Sequence, residues 1–158
     1  MTVDGPLQGG MVLLRDERDL LWLVLDDFVA RGNDRLCDVH FLAREEPTEP
    51  PQPFVSTFGV VEPREGLASL ADGLGRAADG EVSALRHDPV GPGLSMEVKG
   101  SGGTEENRTF EVVIWLDLVR MNPAMKSRAV RGRHQAGMRM HVTAASLRDF
   151  ATGLAAHA

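Results

Sequence analysis

The chain has 158 residues, of which 42% are hydrophobic and 25% charged, enough for one domain that buries about 70% of the surface its unfolded form exposes. Its single cysteine, Cys37, rules out an intrachain disulfide, and neither a basic leader nor a long apolar run is present, so the expectation is a soluble, cytoplasmic protein. The net charge of -6 argues against nucleic acid as a partner, but it is unevenly spread: residues 1–117 carry 10 basic against 22 acidic side chains, and residues 118–158 carry 7 against 1.

The first ten residues, with three Gly and one Pro, form a loose lead-in. Apolar runs at 12–15 and 20–28 flank Asp16-Glu17-Arg18-Asp19 and predict a hairpin in which Trp22 and Val24 share a face. The turn Arg31-Gly32-Asn33-Asp34 leads to a third strand over 36–43. There Cys37, Val39 and Phe41 face the core while Asp38 and His40 point the other way. Residues 45–53, with four Pro and three Glu, cannot hold a ladder and read as a loop before a fourth strand over 54–61. A helix follows from Pro63 to Gly80, with Leu67, Leu70, Ala71, Leu74 and Ala78 on one stripe. Gly73 and Gly75 weaken it by roughly 1 kcal/mol each unless a close neighbour needs the room.

The second half repeats the plan. Strands are predicted over 81–87, 94–99, 110–120 and 137–142, and Thr143 caps a closing helix whose stripe is Leu147, Phe150, Ala151 and Leu154. The strand over 110–120, FEVVIWLDLVR, has a wholly apolar face and a mixed face on which Val113 and Trp115 are expected to be buried or half-buried, which suits a central position. GLASLADGL at 66–74 matches SLRDFATGL at 146–154 in four of nine places. The expected fold is a single α+β domain over 1–158, an antiparallel sheet of about eight strands in two similar halves, 11–80 and 81–158. Each half has four strands and then a helix, with both helices on one face.

Residues 120–135 form an insert that this plan does not require. Asn122-Pro123 starts and Gly132 stops a short extra helix in the last strand connection. Arg120, Met125, Lys126, Arg128, Arg131, Arg133 and His134 make it basic, and four of the seven Met, at 121, 125, 138 and 140, lie in or beside it. Arg and Met are enriched at interfaces, and Met adapts to varied partners. The expected role is therefore docking of an acidic protein or peptide, or of a second copy as a homodimer, since one part of the chain is acidic and the other basic. The insert has no aromatic residue for base stacking and no large apolar face for a membrane surface.

Catalytic and cofactor patterns are weak. Cys37 and His40 point to opposite faces, Asp38 and His40 are two potential metal ligands without a third, and the neighbouring carboxylates Asp26 and Asp27 diverge in extended chain. The string 73–78 fits a loose dinucleotide pattern but lies in a helix tail, and Gly100-Ser101-Gly102-Gly103-Thr104 is followed by Glu105 and Glu106, which repel a phosphate. No cofactor or metal is expected.

The order of elements, with WLVLDDF early, GLASLADGL mid-chain and GMRMHVTAASLRDFATGL at the end, resembles small actinobacterial domains of unknown function related to the WapI-type toxin-immunity family. The resemblance implies an α+β domain that acts by binding, with no catalytic residues to carry over; the basic insert lies outside it. A non-catalytic binding domain, either immunity-like or an accessory factor of a bacterial biosynthetic system, is the leading expectation. The alternative is a small enzyme whose anionic substrate is clamped by the Arg cluster, with His134 as acid or base.

Overall fold

Two runs of four antiparallel strands, each closed by a helix, build the protein in the computed structural model, which describes residues 10–89, 93–117 and 135–158. The first run is β1 (Val12–Arg15), β2 (Leu21–Arg31), β3 (Asp34–Ala43) and β4 (Gln52–Pro63), followed by α1 (Arg64–Ala78). The second is β5 (Ala84–His87), β6 (Leu94–Gly102), β7 (Thr109–Asp117) and β8 (Gln135–Thr143), followed by α2 (Ala144–His157). The eight expected strands thus divide into two meanders, sheet A and sheet B, each in sequence order. β7 is central, between β6 and β8.

Alternation decides which face each sheet buries. Leu23, Leu25, Val39 and Phe41 from sheet A meet Met96, Val98, Val112, Ile114 and Met140 from sheet B, together with the helix residues Leu70, Leu74, Leu147 and Leu154, in one core cluster. Each fully buried Leu contributes roughly 1.5–3 kcal/mol relative to exposure. Cys37, Met138 and Met140 belong to this core, so of the four methionines in or beside the basic insert the two on β8 serve packing.

The helices cross between halves. α1 packs on α2, but α1 also lies against β5 and α2 against β1. A Cβ on Gly73 would come within 2.8 Å of Leu85, and one on Gly153 within 2.9 Å of Val12. The two glycines occupy matching places in the two helices, and each lets the first strand of the other half approach. Helix starts are also matched: the Arg64 N–H donates to Asn33 O at 2.8 Å and the Ala144 N–H to Arg108 O at 3.0 Å. Register makes the equivalence explicit, since Asp34 pairs Pro63 and Thr109 pairs Thr143. No helix among the described residues is long and apolar enough to cross a membrane.

Candidate functional site

All seven residues assigned to docking from the sequence, Arg120, Met125, Lys126, Arg128, Arg131, Arg133 and His134, lie outside the described residues, as does the short helix over 123–131. The structure does fix where their segment is rooted. The last described pair of the β7–β8 ladder is Asp117 with Gln135, so residues 118–134 leave and rejoin sheet B at that end.

Two pairs in from this root stands Trp115, opposite Gly137 on β8 and Ser95 on β6. It is 44% exposed on the outer face of sheet B, in contrast to the burial or half-burial expected from its central strand. The reason lies in the neighbour: a Cβ on Gly137 would stand 2.5 Å from a ring carbon, so the absence of a side chain there lets the indole lie across the β8 backbone. Around it the charges are paired at the surface, Arg139 with Glu111 at 3.8 Å, Lys99 with Glu97 at 3.3 Å and Arg86 with Asp88 at 3.0 Å. Exposed pairs of this kind contribute little to stability.

The outer face of sheet A is built differently. Trp22 is only 4% exposed, packed with Val24 and Leu42, and the guanidinium carbons of Arg15 and Arg44 lie over its ring at 4.6 and 5.2 Å. Counting along the register, Trp115 occupies in β7 the place that His40 occupies in β3. His40 sits between Ser56 Oγ, 2.8 Å from Nδ1, and Asp26 Oδ1, 3.1 Å from Nε2, with Phe58 edge-on to the imidazole. With Asp26 ionised, Nε2 carries the proton and Nδ1 accepts from the serine hydroxyl.

This chain has the residue types of an acyl-transfer relay, but such a site also needs free donors for an oxyanion. The Gly59 N–H, at the bulge of β4, is instead donated to Asp38 Oδ1 at 2.9 Å. The arrangement satisfies a buried histidine within the sheet.

The expectation that Asp26 and Asp27 diverge is overturned. A bulge in β2 between Asp26 and Val29, with Asp27 at φ 51°, breaks the alternation, and Asp26, Asp27 and Asp38 each bring an oxygen within 4.8 Å of the others. Burial pushes the Asp26 carboxyl above its ordinary value; His40 opposes the shift, while Asp27 and Asp38 add to it. Cys37 sits on the core side as expected. Burial, reinforced by the carboxylates of Asp38, Glu62 and Asp26, pushes its thiol up to about 12, so it stays protonated and inert at neutral pH.

No protein-family model matches the chain, and no curated protein matches it. Among solved structures the chain is similar to one described as crystal structures of Trypanosoma brucei MRP1/MRP2, with 12% identity and a TM-score of 0.47 over 91% of this chain and 81% of that one. A likeness at that level carries no argument about function.

Proposed function

We propose that the protein is a non-catalytic binding domain of the cytoplasm that docks an acidic protein or peptide, in the manner of an immunity protein, at the end of sheet B from which residues 118–134 spring. The observation that carries the reading is Trp115, a large aromatic left exposed beside the root of a connection that holds five Lys or Arg and no acid. Trp and Arg are the residues most enriched at interface hot spots, where an aromatic anchor supplies apolar area and the guanidinium groups supply charge-assisted hydrogen bonds. Arg120, Arg128, Arg131 and Arg133 would meet carboxylates of the partner.

The test compares wild type, Trp115→Ala and the double variant Arg128→Glu, Arg131→Glu in capture from host lysate, with the affinity of each retained protein then measured in purified form. The reading predicts a partner whose affinity falls about thirtyfold or more in both variants, the loss of roughly 2 kcal/mol that defines a hot spot. If every partner bound both variants as it bound wild type, this surface would not be the docking site.

A further inference from the structure

At the opposite end of β7 from Trp115 a groove of about 340 Å3 opens between the end of α1 and the β6–β7 turn. Its floor is apolar, made by Ala77, Val82 and Phe110, and Arg108 stands in its wall. The volume is at the small end of the range for small-molecule sites.

Arg108 sets this groove apart from the rest of the surface. Three arginines among the described residues are half-buried. Arg35 Nε donates to His157 O at 3.1 Å, and Arg44 Nη2 binds Asp19 Oδ2 at 2.6 Å. The Arg108 guanidinium makes no hydrogen bond or ion pair among the described residues. It lies across Gly80, just past the end of α1, where a Cβ would collide with it. There it complements the negative end of the helix, yet its five N–H donors remain unused.

The two-fold likeness of the halves shows what is missing. Arg108 is the counterpart of Asn33, whose side-chain amide reaches Glu65 Oε2 at 2.8 Å in the first turn of α1. The place of Glu65 is taken in α2 by Ala145, which offers no carboxylate. The first half fills this position with its own carboxylate; the second leaves a cation facing a groove.

We propose that the Arg108 groove binds a singly charged carboxylate with an apolar body, the carboxylate on the guanidinium and the body against Val82 and Phe110. Glu105 on the rim weighs against ligands of higher negative charge, so phosphate groups bind less well. The carboxylate belongs either to a free small acid or to the C-terminus of a peptide. This site is separate from the proposed docking surface of sheet B and stands or falls independently of it.

The test is an NMR titration of the amides of Gly100, Gly102 and Gly103 with N-acetyl-phenylalanine, its primary amide, inorganic phosphate and a tripeptide ending in phenylalanine with a free carboxyl. Expected is a saturable shift with the acid, weakened about tenfold or more by Arg108→Gln, the loss of a charge-assisted hydrogen bond, and retained in part by Arg108→Lys. A tripeptide that binds more tightly than the acid identifies a peptide terminus; equal binding identifies a small acid. Equal response to acid and amide, preference for phosphate, no saturable shift with acid or tripeptide, or binding that survives in a folded Arg108→Gln variant would each overturn the proposal.

Discussion

Gly73 and Gly75 look interchangeable in the sequence of α1, and the structure separates them. Gly73 is held against Leu85, whereas a Cβ on Gly75 meets nothing within 4 Å. Gly75→Ala is therefore expected to stabilise the fold by about 0.5–1 kcal/mol through the unfolded chain's lost freedom, and Gly73→Ala to destabilise it; urea midpoints of the two variants moving the same way would contradict this. Asp26 makes a prediction about pH. Its carboxyl has an ordinary value of 3.8 and a raised value in the fold, so the folded chain holds the proton more tightly than the unfolded one. Stability from this group is then lost as pH rises from about its unfolded value through the raised folded one. Asp26→Asn, which keeps an acceptor for His40, should unfold at a higher temperature than wild type at pH 7 and lose that advantage below the unfolded value. A variant less stable at pH 7 with His40 still hydrogen-bonded would reverse the sign and refute the argument.

At the scale of elements, the strands and helices were legible because alternation and the three-and-four stripe act locally. Cys37, Val39 and Phe41 on one face and Leu147, Phe150, Ala151 and Leu154 on one stripe are all in the core. Thr143 caps α2 as expected, its Oγ1 accepting from the Ser146 N–H at 3.2 Å, while Pro63 at the matching place makes no side-chain cap. Thr143→Ala should cost about 1 kcal/mol, measurable as a shift of the unfolding midpoint; no shift would mean that packing against β1 alone holds the helix start. What escaped the sequence depends on pairing between strands. The bulge that gathers Asp26, Asp27 and Asp38 interrupts a period that the residues themselves continue. The exposure of Trp115 follows from Gly137 lying opposite it, and Arg108 is set against Gly80 from a separate turn. The likeness of the two helices also gains a physical content, because the four matching positions are three core residues and the glycine that admits a strand of the other half.

On the scale of the whole molecule, two matched halves share one core and differ on their outer faces. Sheet A fills the position of His40 with a hydrogen-bonded polar chain and covers Trp22 with arginines. Sheet B leaves Trp115 open at the counterpart position, beside the connection that carries the chain's concentrated positive charge. The halves thus pair a closed face with an open one, and in the proposed function the open one binds. With only two tryptophans in the chain, Trp22→Phe leaves Trp115 as the sole reporter, and the direct measurement is acrylamide quenching of its fluorescence with and without the captured acidic partner. The expected indole is readily quenched in the free protein and shielded in the complex; an indole quenched equally in both would mean that Trp115 does not lie in the docking surface.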